Sequence, residues 1–136
     1  MPSTPRRGAR ISHIGIAVQS VDDAAPFYSE ILGLMQVPLD NADGARIVGF
    51  AAGDALVELL EAQNPQSPIA KFLDKRGPGI HHICFAVDDL DATLALCRSA
   101  GVRLVDPVPR IGAEGKRIAF LHPSTTNGVL IELSED

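Results

Sequence analysis

The sequence predicts an α+β protein: two tandem βαβββ modules whose strands form one curved, open mixed sheet. Three observations carry this. Residues 11–18 read Ile-Ser-His-Ile-Gly-Ile-Ala-Val and residues 80–87 read Ile-His-His-Ile-Cys-Phe-Ala-Val, so two strands repeat one pattern. Further along each copy, Leu56-Val57-Glu58-Leu59 is echoed by Leu130-Ile131-Glu132-Leu133. Between the copies, Pro65, Pro68, Gly77, Pro78 and Gly79 mark a connector. The chain divides into a flexible tail at 1–10, a first module at 11–63, a connector at 64–79 and a second module at 80–136.

Strand 11–18 opens the first module on β-branched residues. Ser20-Val21-Asp22-Asp23 then offers a hydroxyl cap and acidic residues for a helix start. That helix is expected over 21–32, with Pro26 as a local distortion and Gly33 as its stop. Strands follow near 34–38, 45–51 and 55–61, separated by Asn41-Ala42-Asp43-Gly44 and Gly53-Asp54. In the connector, Ile69-Ala70-Lys71-Phe72-Leu73 suggests one short helix. The second module repeats the plan: strand 80–87, a helix from Asp88-Asp89 to about Ala100 closed by Gly101, and strands near 102–105, 117–122 and 128–134.

Strand alternation sets the direction of the side chains. His13 shares a face with Gly15 and Ala17, and His82 shares one with Cys84 and Ala86. The opposite faces carry Ile14, Ile16 and Val18, and Ile83, Phe85 and Val87, which suit packing under a helix. Small residues beside each histidine leave space for a ligand. His81, one residue before His82, is expected on the other face, as a structural or supporting hydrogen-bonding group.

The remaining composition excludes more than it assigns. With 136 residues and 46% hydrophobic content the chain can bury a sizeable core. No apolar run approaches the roughly 20 residues of a membrane span. A net charge of −5, no Trp and one Tyr leave no footprint for nucleic acid. Two cysteines, Cys84 and Cys97, are too few for a disulfide framework and read as buried thiols of a reduced, cytoplasmic protein.

Each module thus contributes one histidine and one glutamate: His13 with Glu58, and His82 with Glu132. Two imidazoles and two carboxylates suit a divalent ion such as zinc, cobalt, nickel or manganese. Glu132 lies among Leu130, Ile131 and Leu133, where an unpaired carboxylate is costly and a cation would compensate it. Glu61 lies on the face opposite Glu58 and reads as a solvated carboxylate. The acidic residues at 22, 23, 88, 89 and 91 fit helix initiation.

Four segments carry a resemblance to a known family: Ser67-Pro68-Ile69-Ala70-Lys71-Phe72-Leu73, Gly79-Ile80-His81-His82-Ile83, the run Gly115-Lys116-Arg117-Ile118-Ala119-Phe120-Leu121-His122-Pro123, and Gly128-Val129-Leu130-Ile131-Glu132-Leu133. Together they resemble the vicinal oxygen chelate superfamily and, within it, the methylmalonyl-CoA epimerase family. The resemblance implies that His13, Glu58, His82 and Glu132 bind a divalent metal, cobalt foremost. It implies methylmalonyl-CoA as substrate, proton removal at C2 through a metal-stabilised enolate, and a homodimer. Glu132 and Glu58 would then be the two bases. His122, Lys116 and Arg117 are candidates for substrate contact, the last two for a nucleotide phosphate. In one departure, Ile47 or Val48 stands where certain epimerases carry a glutamate base. The alternatives are glyoxalase I, which shares a His/Glu metal set, and a non-catalytic binder of small molecules.

Overall fold

A computed structural model describes residues 8–136; most of the expected tail lies outside them. The elements run β1 (Arg10–Ala17), α1 (Val21–Pro26), a π-helical turn (Phe27–Ile31), β2 (Met35–Val37), β3 (Ala45–Ala52), β4 (Ala55–Ala62), α2 (Pro68–Arg76), β5 (Gly79–Val87), α3 (Leu90–Ser99), β6 (Arg110–Ile111), β7 (Arg117–Leu121), a 3-10 turn (Pro123–Thr125) and β8 (Ile131–Glu135). All eight strands join one sheet in the order β2-β3-β4-β1-β5-β8-β7-β6. The order reads the same from either edge once the halves are matched. β1 runs parallel to β4 and β5 parallel to β8, and the halves meet where β1 and β5 pair antiparallel. The sheet curls into an open half-barrel, as the sequence pattern predicted.

Helix α1 starts where Ser20 Oγ accepts from the Asp23 N–H at 3.2 Å, and α3 where Asp89 Oδ1 accepts from the Ala92 N–H at 3.0 Å. Pro26 ends regular α-helix because it supplies no N–H and its ring crowds the preceding turn. The chain continues as a wider turn in which the Leu32 N–H donates to Phe27 O. Helix α2 is capped by Ser67 Oγ, 3.0 Å from the Ala70 N–H, with Pro68 in its first turn.

Two of the expected strands need correction. The strand foreseen at 102–105 is reduced to one bridge between Leu104 and Leu121, and the edge strand is β6 instead. The Asp106 carboxylate accepts from the Phe120 N–H at 2.9 Å, so a side chain takes the donor that a paired strand would use. Pro107 and Pro109 follow and cannot donate to a ladder. In addition, β8 begins at Ile131 rather than 128, because Asn127 and Gly128 turn the chain with φ of 59° and 83°.

The helix face of the sheet holds two matching cores. Val18, Val21, Phe50 and Leu59 pack with Ile16 beneath α1, and Val87, Leu90, Leu94 and Leu133 pack with Phe85 beneath α3. The ion pairs repeat as well. Arg46 reaches Asp22 at 3.0 Å and Glu61 at 4.0 Å, while Arg117 reaches Asp91 at 3.1 Å and Glu135 at 3.0 Å. Glu61 accepts from the first N–H of α1 at 2.7 Å, and Glu135 from the first of α3 at 3.0 Å. Glu61 is therefore a helix anchor, not merely a solvated carboxylate. A third core, with Ala17, Ala45, Ile47, Leu60 and Ile69, lies under α2.

Candidate metal centre and cleft

The opposite, concave face of the sheet carries two cross-strand rows. In one, Gly15 on β1 is flanked by Glu58 on β4 and His82 on β5. In the other, Cys84 on β5 is flanked by His13 on β1 and Glu132 on β8. Each row therefore pairs a glutamate with the histidine of the other half, across a small residue. Gly15 is small by necessity: a Cβ there would lie 2.3 Å from His82 Cε1. The β1–β5 register contains two bulges, whose extra residues are Ser12 and His81, each directly before a site histidine. A bulge re-aims the side chains at that point. The bulge corrects the expectation for His81, which lines the cleft with its Nδ1 2.9 Å from His82 Nδ1 and its ring edge-on to Phe72 of α2.

The structure brings His13, Glu58, His82 and Glu132 together, all of them buried. His13 Nε2, His82 Nε2 and Glu132 Oε1 form a triangle with all three sides 3.0 Å. Two imidazole nitrogens and a carboxylate oxygen in this arrangement would be able to hold a divalent ion. On the other edge of the His13 ring, Nδ1 lies 3.3 Å from Glu58 Oε2 and 2.7 Å from Glu114 Oε2. Those three atoms are buried and, despite their closeness, none has a hydrogen-bond partner. One ligand atom each from His13, Glu58 and His82 lies within 4.8 Å of the others. Two buried carboxylates, Glu58 and Glu132, converging on the two buried imidazoles are what a divalent cation would satisfy. The donor set fits such an ion.

Electrostatics agree with a site that attracts positive charge. Burial opposes a charge on His13, but Cys84, Glu114, Glu132 and Glu58 outweigh it and push its pKa up to about 12. Burial, reinforced by Glu114, raises Glu58 to about 9. Burial also acts to raise Glu132, yet contacts with His13 and His82 prevail and hold it down at about 2. His81 is lowered to about 4 by burial and then by His82. Burial pushes the Cys84 thiol up, so it stays protonated.

The cluster forms the floor of a cavity of about 390 Å³. Its walls are largely apolar, with Ile47, Leu60, Ile69, Ile118 and Phe120 among them, and Asp43 and Arg110 also line it. Arg110 reaches Asp43 at 3.0 Å, joining the two halves across the cleft. A second cavity of about 410 Å³ adjoins it and shares Ala113, Glu114 and Lys116. Of the expected substrate contacts, Lys116 lines both cavities. Arg117 does not line either: it is the counterpart of Arg46 and is tied to Asp91 and Glu135 on the helix side. His122 also falls outside them, because its Nδ1 accepts from the Ser124 N–H at 3.0 Å in the 3-10 turn. At the departure noted in the sequence, Ile47 faces the cavity while Val48 packs beneath α1. The residue missed by sequence reasoning is Glu114. The repeat marks its place: Ala113-Glu114-Gly115-Lys116-Arg117 echoes Ala42-Asp43-Gly44-Ala45-Arg46, which makes Glu114 the counterpart of Asp43.

Paired modules that bring two histidines and two glutamates to the floor of one curled sheet define a class of protein. Residues 12–120 match the Glyoxalase/Bleomycin resistance protein/Dioxygenase superfamily. An ethylmalonyl-CoA/methylmalonyl-CoA epimerase of Cereibacter sphaeroides is 39% identical over 130 residues, covering 93% of this chain and 97% of that one. The crystal structure of methylmalonyl-CoA epimerase from Mycobacterium tuberculosis matches with a TM-score of 0.90 at 41% identity, over 99% of this chain and 92% of that one. A methylmalonyl-CoA epimerase in complex with methylmalonyl-CoA and NH4+ matches with a TM-score of 0.89 at 37% identity, over 94% of both chains. The chain belongs to the methylmalonyl-CoA epimerase family of this superfamily.

Proposed function

We propose that the protein interconverts the two C2 epimers of methylmalonyl-CoA, with a divalent ion held by His13, His82 and Glu132 together with Glu58. One observation carries this reading: the buried His/Glu cluster on the floor of an apolar cleft, in a chain 37% identical to an epimerase structure containing methylmalonyl-CoA. When bound, the ion would supply Lewis-acid withdrawal of electron density from the thioester carbonyl, which acidifies the C2 hydrogen. Glu132 is held ionised by the two imidazoles and is ready to accept that proton on one side of C2. His81 contacts His82 at Nδ1 and leaves Nε2 directed at the cluster. The walls of Ile47, Leu60, Ile69 and Ile118 are apolar, so charge developing beside them would be felt more strongly than in solvent. Returning a proton to the opposite side requires a second group. The carboxylates on the Nδ1 side of His13, Glu58 and Glu114, are the candidates.

The assignment is tested with a single epimer of methylmalonyl-CoA in deuterated water, followed by NMR with and without chelator. Appearance of the second epimer with deuterium at C2, abolished by chelation, is the expected result. Absence of conversion, or turnover of the glutathione–methylglyoxal hemithioacetal in its place, would overturn it. We also propose a homodimer. Phe27, Ile31, Leu32 and Met35 are exposed beside the short edge strand β2, and C2 pairing would cover them. Light scattering should return twice the mass of the chain. We assign the protein to the cytoplasm, where the free thiols Cys84 and Cys97 stay reduced.

A further inference from the structure

The four residues of the cluster are at most 5% exposed, so something must cover them. Two turns related by the repeat meet over the cleft. Residues 42–45 lead into β3 and residues 112–116 join β6 to β7, and both turns line the main cavity. Each sends a carboxylate across to the opposite half. Asp43 accepts from Arg110 Nη1 at 3.0 and 3.1 Å, and Glu114 Oε2 lies 2.7 Å from His13 Nδ1. Beside them the Asp40 N–H donates to Ala113 O at 3.2 Å.

The two turns are not held alike. In the first, Ala42 and Ala45 exchange backbone hydrogen bonds of 2.9 and 3.3 Å around Asp43 and Gly44, whose φ values of 53° and 71° suit an Asp-Gly hairpin turn. That turn is also pinned from behind. The Gln63 N–H donates to Gly44 O at 2.8 Å, and a Cβ on Gly44 would lie 2.9 Å from Ser67 Cβ at the cap of α2. In the second turn the Gly112 N–H donates to Lys116 O at 2.9 Å and the Gly115 N–H to Gly112 O at 3.0 Å, bonds internal to the turn. Behind it lies open space: no atom comes within 4 Å of where a Gly115 Cβ would stand. The turn hangs on β6, a two-residue strand at the edge of the sheet, and Ala113 adds one methyl group to the core under α2. Its ionic tie to the first half, Arg110–Asp43, has side chains 36% and 48% exposed, so solvent and salt weaken it.

Resting on the epimerase reading for what passes through it, we propose that residues 112–116 form a lid over the metal cleft. Arg110–Asp43 and the Asp40–Ala113 bond latch it to the first half, and a CoA thioester enters and leaves when it lifts. A cavity of about 390 Å³ is at the small end for a drug-sized ligand, and a CoA thioester is larger than that. Ala113, Glu114 and Lys116 belong to the walls of both cavities, so lifting the lid opens one into the other and gives the thioester arm a way out. It also draws Glu114 off His13 and uncovers the cluster, which makes the motion measurable without turnover.

The test follows loss of cobalt(II) from the loaded protein to excess chelator, beside turnover of methylmalonyl-CoA. Asp43→Asn keeps the turn, because Asn-Gly suits it as well as Asp-Gly. Asp43→Asn and Arg110→Gln change the local charge in opposite senses, yet each should speed cobalt loss about two- to fivefold, the scale of an exposed ion pair. Raising the ionic strength should speed loss from the unaltered protein and leave both variants nearly unchanged. Asp40→Cys combined with Ala113→Cys should staple the lid through a disulfide. Oxidation of that variant should slow cobalt loss and turnover about tenfold or more, and reductant should restore both. Opposite shifts in the two latch variants would reveal a charge effect on the ion and overturn the lid. So would loss at the unaltered rate from either, or equal rates before and after reduction of a disulfide verified by mass. If the unaltered protein does not turn over methylmalonyl-CoA while the latch still governs cobalt loss, the epimerase reading falls and the lid stands.

Discussion

Gly15 has no side chain because the His82 ring occupies the place where one would be. Gly15→Ala puts a methyl group 2.3 Å from His82 Cε1, so the ring must turn away from His13 and Glu132. We expect the variant to fold, because the strand backbone needs no special conformation there, but to bind metal at least tenfold more weakly. Chelator competition measures this, and unchanged affinity would show that the His82 position is not needed. A second consequence concerns protons. Without an ion, His13 and Glu58 hold protons at neutral pH, since their pKa values are raised to about 12 and about 9. Binding an ion through them must displace those protons, so affinity should weaken as pH falls and binding should release protons at pH 7. Calorimetry in two buffers of different ionisation enthalpy would detect the release; a buffer-independent heat would count against Glu58 and His13 as ligands.

At the scale of elements, the repeated strands made most of the architecture legible. The alternation around His13 and His82 separated a bulky face, now packed under α1 and α3, from the face that presents both histidines to the cleft. The grouping of His13, Glu58, His82 and Glu132 followed from the same repeat. What the repeat could not convey was whatever breaks it. The bulge that turns His81 into the cleft depends on pairing between distant strands. The Asp106 side chain that displaces a strand depends on Phe120, fourteen residues on. The place of Arg117 is that of Arg46 in the other half, and the pairing Arg46–Asp22 against Arg117–Asp91 appears only once the halves are superposed. Helix α2 supplies Ile69 to the cleft wall and Phe72 to His81. Ser67→Ala should remove its cap and cost about 1 kcal/mol in denaturant unfolding. Epimerase activity should survive at saturating metal, and an unchanged midpoint would rule out the cap as a stabilising contact.

For the whole molecule, the decisive feature is the seam between β1 and β5. It brings His13 and His82 within 3.0 Å although they lie in different halves. An ion held by both should fasten the halves together and raise the melting temperature by mass action. His82→Ala should lose metal, activity and that increment together, and retention of stoichiometric metal would disprove the ligand set. Because the seam lies within one chain, mixing His13→Ala and Glu132→Gln subunits should recover no activity; recovery would require sites shared between chains. The seam also carries a consequence in time. Its two strands are separated by the whole first half of the chain, so closing it is among the least local steps of folding. The ion has no completed site to enter until that step is over. Metal should therefore leave the refolding rate nearly unchanged and act on the reverse process, slowing escape from the native state. Stopped-flow chevrons with and without chelator should differ in the unfolding arm alone, so the ion would act as a latch on a finished fold rather than as its template.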